Sequence, residues 1–358
     1  MIAPDAPVRP AHPPASVNRL AFTEMRSAFE RALERVAPTT CDLTLADRSV
    51  RLQVAGPRLF ERLYPAFSQL RTRAAAAVET VDLTISLWDV AATGVAPPLP
   101  ATESDPGANG AVLVSADGRI VVYRRQTSSA WLDRDAAQLV GCFTSASQTS
   151  LYDRSKPLQL PLAVWHLDCG VPLVHAGVVG RAGRGILLPG KGGSGKSTAA
   201  VCCALAGFDY VGDDCVGLER GSDGQLRAHG VYASTSLEPQ QLARFPSLAP
   251  HALAGSLAQE DKHVVLLDAL WPNTLSRVVT LSAIAIPRIV PGRDSRLVAA
   301  SRAEALRALA PSTMLFFPGW GAKQLEFLAA VIAKLPCYRL EMGEDLSQIP
   351  ACLEPLVV

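Results

Sequence analysis

A glycine-rich segment at residues 190–197, GKGGSGKS, constrains this chain more than any other feature. It matches the pattern GxxxxGK[ST] in full, follows the apolar residues 186–188 and precedes an Ala-rich stretch that favours a helix. A strand, a glycine-rich loop and a helix in this order direct several backbone N–H groups toward one point, where a polyphosphate can bind. The segment therefore predicts a nucleotide-binding loop in an α/β domain.

Each residue type in this phosphate loop, residues 190–197, has a physical reason. Glycines let backbone N–H groups face phosphate oxygens and accept φ values that other residues avoid. Lys196 is expected to contact the β- and γ-phosphates of ATP, and the Ser197 hydroxyl to coordinate Mg²⁺, with Thr198 able to assist. The predicted nucleotide-binding residues are Gly190, Lys191, Gly192, Gly193, Ser194, Gly195, Lys196, Ser197 and Thr198.

Two adjacent aspartates, Asp213 and Asp214, follow the phosphate loop closely. A helix closed by Gly207 and a short apolar strand lead to them, so both carboxylates are expected at a strand end beside the phosphates. One carboxylate can hold Mg²⁺ while the other accepts a proton from an attacking hydroxyl. We assign Asp213 as the base and Asp214 to magnesium. A solvated turn is the alternative interpretation of such a pair.

A histidine lies upstream of the phosphate loop, in the apolar segment 173–177 with the sequence LVHAG. A buried imidazole needs a hydrogen-bonding partner, and a lone histidine in an apolar strand is usually a satisfied core residue. A catalytic or phosphate-contacting His175 is the alternative on pattern alone.

The charge balance argues against nucleic-acid and membrane partners. The 34 basic and 33 acidic residues nearly cancel, which removes the general electrostatic attraction that such proteins usually show. The sequence has no run of about 18 apolar residues and no apolar signal core at its start. Its eight cysteines lack the spacing of a metal site. We therefore expect a cytoplasmic protein with reduced thiols.

The 358 residues are enough for two domains, and the hydrophobic pattern changes along the chain. Residues 1–18 form a proline-rich tail that is expected to be flexible. Residues 19–150 predict a small α+β domain: a helix capped by Thr23, a hairpin over 43–54, a strand over 81–87, an exposed loop over 97–110 and a hairpin over 112–123. Residues 151–358 predict an α/β domain with late helices after Ser301 and over 325–335, and a last strand over 337–342.

The residues singled out above occur in a familiar order. The segment 174–177, VHAG, then the phosphate loop, then the segment 211–216, VGDDCV, resemble the catalytic half of bacterial HPr kinase/phosphorylase in order and in spacing. The resemblance spans about residues 170–220. It implies the phosphoenolpyruvate-carboxykinase type of P-loop fold, with the smaller α+β domain at the N-terminus.

The same resemblance implies roles for individual residues. His175 would lie near the transferred phosphate, Lys196 and Ser197 would handle ATP and Mg²⁺, and Asp213 and Asp214 would supply the base and the metal contact. Thr198 stands where HPr kinases usually carry Glu, and their Gly-rich C-terminal signature has no visible counterpart.

The overall layout, including the segments EDKH at 260–263 and ALAPST at 308–313, is more similar to the HPr-kinase-related tailoring kinases of lasso-peptide biosynthesis. That group implies ATP-dependent phosphorylation of a serine hydroxyl, commonly at the C-terminal end of a precursor peptide. Lys262 and Arg293, from the basic set that also holds Arg277, Arg288 and Arg296, are candidates to bind the peptide carboxylate or phosphoryl charge. Solvated surface charges are the alternative.

Three functions are compatible with these patterns. The first is an ATP-dependent serine kinase acting on a peptide or small protein. The second is a small-molecule or HPr-type kinase/phosphorylase of the same fold. The third is an ATP-gated binding or regulatory protein. The N-terminal domain either recognises the peptide or supports the kinase domain, and the sequence leaves open whether the chain forms a homo-oligomer.

Overall fold

The computed structural model describes residues 17–72, 80–98, 110–255, 262–316 and 321–358. The chain divides into two compact units, Met1–Asp168 and Cys169–Val358. The boundary expected after residue 150 lies instead after Asp168, because the helical segment 151–168 packs on helices and strands of the first unit. Most of the expected proline-rich tail and of the expected loop over 97–110 lies outside the described residues, as do residues 260–261.

The first unit is an α+β structure, as the sequence predicts. Its helices are α1 Arg19–Arg35, α2 Pro57–Leu63, α3 Val90–Thr93, α4 Leu151–Ser155 and α5 Gln159–Asp168, with short 3₁₀ turns at Tyr64–Leu70 and Ala146–Gln148. Its strands are β1 Thr39–Leu45, β2 Arg48–Ala55, β3 Leu83–Asp89, β4 Ala111–Val114, β5 Ile120–Arg124, β6 Ser128–Asp133 and β7 Gln138–Phe143. Among the described residues, these strands form one sheet in the order β1-β2-β3-β7-β6-β5-β4.

Both predicted hairpins are confirmed, since β1 pairs antiparallel with β2 and β4 with β5. The predicted helix cap at Thr23 is wrong. Helix α1 begins earlier, where the side chain of Asn18 accepts a hydrogen bond from the Ala21 N–H at 3.0 Å. The Thr23 hydroxyl lies inside the helix and donates to the Arg19 carbonyl. The apolar face of α1 packs on the sheet around Trp88 and Trp131.

The second unit contains the phosphate loop. Its helices are α6 Lys196–Leu205, α7 Pro239–Leu242, α8 Arg302–Phe316, α9 Ala322–Lys334 and α10 Gln348–Leu353, with 3₁₀ turns at Ala249–His251 and Glu354–Leu356. Its strands are β8 Leu173–Val174, β9 Ala176–Arg181, β10 Arg184–Pro189, β11 Asp209–Gly212, β12 Val216–Arg220, β13 Leu226–Gly230, β14 Ser234–Leu237, β15 His263–Leu266, β16 Val278–Ile289, β17 Arg296–Ala299 and β18 Cys337–Met342.

The main sheet of this unit is mixed and covered on both faces. Its described strands follow the order β11-β9-β10-β16-β13-β12-β8, with β18 between β16 and β17, and β10, β16 and β18 run parallel. Side chains alternate between the faces of a strand, so Ile186 and Leu188 pack in the cluster that contains α6 and α10, while Leu187 packs in the cluster that contains α8 and α9. The predicted α/β class is therefore confirmed.

The capping box predicted before α8 is present, because Glu304 accepts from the Ser301 N–H at 2.9 Å and the Ser301 hydroxyl accepts from the Glu304 N–H. No disulfide joins any of the eight cysteines, all of which lie in the described ranges, and burial raises the pKa of Cys142 and Cys202 to about 12. No helix in the described ranges is both long enough and apolar enough to cross a membrane.

Candidate active site

Three strand ends meet at one edge of the sheet in the second unit. Strand β9 runs antiparallel to both β10 and β11, with Pro189 opposite Ala176 and Gly212 opposite Val178. The start of β9 therefore lies beside the ends of β10 and β11. Because the phosphate loop follows β10, the histidine precedes β9 and the aspartates follow β11, the register brings all three predicted segments to the same edge.

Close packing keeps the aspartates against β9. A Cβ added at Gly177 would lie 3.4 Å from the Cα of Asp213, so the two backbones are nearly in contact there. The apolar segment 173–177 is divided at His175 between the two strands β8 and β9. The break arises because β8 pairs with β12 whereas β9 pairs with β10 and β11. His175 thus lies where the chain passes from one pairing to the other.

The phosphate loop has the backbone conformation that its glycines were expected to provide. Gly193 and Gly195 have φ values of 75° and 97°, in the left-handed region. A Cβ at Gly190 would lie 2.4 Å from the Ser194 Oγ, and one at Gly195 would lie 2.1 Å from the Cε of Met342. Helix α6 begins at Lys196, directly after Gly195. Glycine has no side chain that could accept hydrogen bonds from the N–H groups of the first turn, and these groups face the loop.

The ammonium group of Lys196 lies over this loop. Its Nζ donates to the Gly190 carbonyl at 2.7 Å and to the Lys191 carbonyl at 3.1 Å. Lys196 is buried, with 5% of its surface exposed, whereas Lys191 of the same loop is exposed. The positive charge of Lys196 is thus fixed at the start of the loop, close to its backbone N–H groups. This arrangement suits a bound polyphosphate.

Asp213 is nearly inaccessible and has a partner that the sequence did not reveal. It is 3% exposed, and its Oδ2 accepts a hydrogen bond from the hydroxyl of Thr235, a residue of β14 that is itself 1% exposed. Strand β14 is joined to β15 in a separate two-stranded sheet, so only the tertiary fold brings Thr235 to the site. No local motif marks Thr235 in the sequence.

Tyr210 of β11 is hydrogen-bonded to the strand that carries Thr235. Its hydroxyl donates to the Ser234 carbonyl at 2.9 Å, next to Thr235 in β14. Complete burial raises the pKa of Tyr210 well above its ordinary value, and the nearby Asp213 adds to the rise. The phenol therefore stays neutral and keeps its proton for this hydrogen bond, which ties β11 to β14.

His175 forms a pair with the second aspartate. Its Nδ1 lies 3.2 Å from the Oδ1 of Asp214, and the two side chains are 10% and 23% exposed. The backbone N–H of His175 donates to the hydroxyl of Thr313 in α8, at 3.2 Å. The imidazole is therefore buried, as the core interpretation expects, but it is also in contact with a predicted active-site carboxylate. Asp214 is the more accessible of the two aspartates.

Two oxygen donors at this edge are accessible to a metal ion such as the predicted Mg²⁺. Mg²⁺ prefers hard oxygen ligands and binds phosphates together with one or two protein groups. Ser197, at the start of α6, is half-buried, whereas Thr198 is 6% exposed and packs into the interior. Ser197 and Asp214 are therefore the accessible hydroxyl and carboxylate among the predicted metal ligands, and Thr198 is the less suitable hydroxyl.

The predicted substrate residues are placed differently from each other. Lys262 directly precedes β15, the strand that pairs with the Thr235 strand. The Arg293 side chain is 82% exposed and its Nε lies 3.8 Å from Asp345. Arg296, another member of the basic set, is paired with Glu341 at 2.7 Å. A role of Lys262 or Arg293 in binding substrate stays a prediction.

Replacing Thr235 by Val is expected to lower the free energy of unfolding by about 1–3 kcal/mol, because a buried carboxylate loses a hydrogen-bond donor while the volume of the side chain stays nearly the same. Urea denaturation at neutral pH measures this change. Thr235→Ser keeps the hydroxyl and should lose much less stability. Equal stability of the valine variant and the wild type would show that the hydrogen bond to Asp213 contributes nothing.

Similarity to known proteins is found among solved structures. No protein-family model matches the chain, and no curated protein matches it. Among solved structures, the Hpr(Ser) kinase/phosphatase from Coxiella burnetii is similar, with a TM-score of 0.26 and 13% sequence identity over 51% of this chain and 92% of that chain. A TM-score of this size leaves the geometry of the site as the basis for assigning a function.

Proposed function

We propose that this protein is a phosphotransferase that uses ATP and Mg²⁺ to phosphorylate a hydroxyl group. The observation that carries the proposal is the meeting of the phosphate loop, the buried Asp213 and the His175–Asp214 pair at one edge of the sheet. A nucleotide-binding loop alone would serve many functions. Two carboxylates beside the position of the phosphates suit the transfer of the γ-phosphoryl group to an alcohol.

Each of these groups has its own role in the proposed transfer. Loop N–H groups and Lys196 bind the polyphosphate and stabilise the negative charge that moves during transfer. Ser197 and Asp214 would hold Mg²⁺, which neutralises charge on the phosphate oxygens when it is bound. Asp213 accepts the proton of the substrate hydroxyl. The hydroxyl oxygen then bonds to the γ-phosphorus as the bond from that phosphorus to the β–γ bridging oxygen breaks, and ADP leaves.

Thr235 and His175 prepare the two carboxylates for these tasks. Because the Thr235 hydroxyl donates to one oxygen of Asp213, the carboxylate is held in one orientation. The His175 imidazole, whose Nδ1 lies 3.2 Å from the Asp214 Oδ1, limits the positions open to the Asp214 carboxylate. These contacts support the original division of roles, with the buried Asp213 as base and the more accessible Asp214 as metal ligand.

For the acceptor, we propose a serine hydroxyl of a peptide, at the C-terminal end of a lasso-peptide precursor. The support is the sequence resemblance to the tailoring kinases of that pathway. A C-terminal serine also offers a carboxylate that a cation such as Lys262, which precedes the strand paired with the Thr235 strand, can bind. A small protein or a small alcohol is the competing acceptor for the same chemistry.

Intact-mass spectrometry tests this proposal directly. The protein, ATP and Mg²⁺ are incubated with a precursor peptide ending in Ser, with the same peptide ending in Ala, and with the Ser peptide as its C-terminal amide. A gain of one phosphate on the Ser peptide alone is expected, and the amide should react more slowly. Phosphorylation of none of them, with ATP still bound, would contradict the peptide acceptor and favour a small-molecule acceptor or an ATP-gated role.

A further inference from the structure

Strand β16 extends beyond the strand that leads into the phosphate loop. Its parallel pairing with β10 ends at Leu187 and Ile284, but β16 continues to Ile289, paired along this stretch with β18 as far as Met342. The last residues of β16 therefore run alongside the loop that follows β10. They form the side of the loop opposite to β9 and the aspartates, because β9 and β16 flank β10 on its two sides.

The residue at the end of this extension is an exposed isoleucine. Ile289 has 61% of its surface exposed, more than Val278 at the other end of the same strand, which has 37%. Side chains alternate along the strand, so Ile289 shares the face of Ala285, which packs in the cluster that contains α6. A Cβ added at Gly195 would lie 3.6 Å from the Cγ1 of Ile289, so the side chain lies next to the last glycine of the phosphate loop.

Ile289 is held by a well-bonded backbone. Behind the phosphate loop, Met342 is 2% exposed and its methyl group packs against Gly195. The segment after Ile289 is tied to the segment after Met342, since Val290 N–H donates to the Met342 carbonyl at 3.0 Å and Glu344 N–H donates to the Gly292 carbonyl at 2.9 Å. Hydrogen bonds on both sides thus fix the backbone that carries Ile289, which lowers the entropic cost of binding a ligand against its side chain.

A nucleotide bound at the loop has two directions in which its nucleoside could extend. The β9 side carries His175, Asp213 and Asp214, which suits the γ-phosphate and the attacking hydroxyl. The β16 side carries Ile289, which has no polar atom to offer but exposes apolar surface. Ligands of α/β sheets lie across the carboxyl ends of parallel strands, and β10, β16 and β18 are such strands here.

We propose that Ile289, supported by Met342, is the apolar wall against which the base of the bound nucleotide packs. The inference rests on the proposed function and deepens it, because it fixes the direction of the nucleotide: triphosphate on the loop, base over the end of β16, acceptor hydroxyl on the β9 side. A flat base covers apolar surface that is otherwise in water, and this burial favours binding.

The test compares a ligand that has a base with one that has none. Dissociation constants of ATP and of inorganic tripolyphosphate, each with Mg²⁺, are measured by calorimetry for the wild type, Ile289→Ala and Val278→Ala. Val278 is a matched control, since it is an exposed aliphatic residue at the other end of β16. Ile289→Ala should weaken ATP binding about tenfold, from partial loss of the burial energy of one aliphatic side chain, and leave tripolyphosphate unchanged. Val278→Ala should change neither.

A second variant adds an optical measurement. Ile289→Trp places a large ring at the same position, and its fluorescence should change on addition of ATP and not of tripolyphosphate. ATP affinity that is equal in wild type and Ile289→Ala would overturn the wall and leave the kinase proposal intact, and so would an equal loss of affinity for both ligands. A wild type that binds neither ligand would overturn both.

Discussion

Asp213→Asn is expected to lower the rate of phosphoryl transfer by about 10²–10⁴-fold while ATP affinity stays close to that of the wild type. An amide has nearly the shape of the carboxylate but cannot accept the proton of the substrate hydroxyl. Its carbonyl oxygen can still accept the hydrogen bond from Thr235, so the buried site should keep its structure. The transfer rate is measured with saturating ATP and peptide, and ATP binding is measured separately by calorimetry.

Asp209→Asn is the matched control for this experiment. Asp209 begins β11, the strand that leads to Asp213, and so it lies at the opposite edge of the sheet from the phosphate loop. The same chemical change there should leave the transfer rate within about twofold. If Asp213→Asn retained full activity, the base would have to be another group, and Asp214, which is more accessible, would be the first to test.

The parts of the candidate site whose placement in the fold can be anticipated from the sequence are those that depend on local order along the chain. The phosphate loop lies between a strand and a helix, and Gly193 and Gly195 take the positive φ values of its turn. Of these two glycines, the pattern GxxxxGK[ST] requires Gly195. Asp213 and Asp214 follow at the end of the strand after that helix. Given this order, the antiparallel pairing of β9 with β10 and β11 is enough to bring the three segments to the same edge of the sheet.

What the sequence could not provide depends on contacts between distant segments. Thr235 donates to Asp213 from strand β14 of the separate two-stranded sheet, and Thr313 of helix α8 accepts from the backbone of His175. No spacing rule in the sequence connects positions so far apart. Ile289 is one apolar residue in an apolar strand, and only the extension of β16 past β10 makes it conspicuous. The late domain boundary has a similar cause, since α5 is apolar enough to belong to either unit and tertiary packing decides.

Lys196→Met is expected to lower phosphoryl transfer by about 10²–10³-fold and to weaken ATP binding. Methionine keeps the length of the side chain and removes the charge that lies over the loop. The change also takes a donor from the carbonyls of Gly190 and Lys191, so a loss of about 1–3 kcal/mol in the free energy of unfolding is expected. Urea denaturation separates this structural effect from the loss of activity.

Lys191→Met makes the same chemical change at an exposed position of the same loop. An exposed lysine adds to the general potential around the phosphates, but its charge is screened by water and salt, so activity should stay within about threefold of the wild type. Equal losses in the two variants would mean that the net charge of the loop, and not the fixed position of the Lys196 ammonium, determines catalysis. A large difference between them would support a lysine that acts on the transferred phosphoryl group.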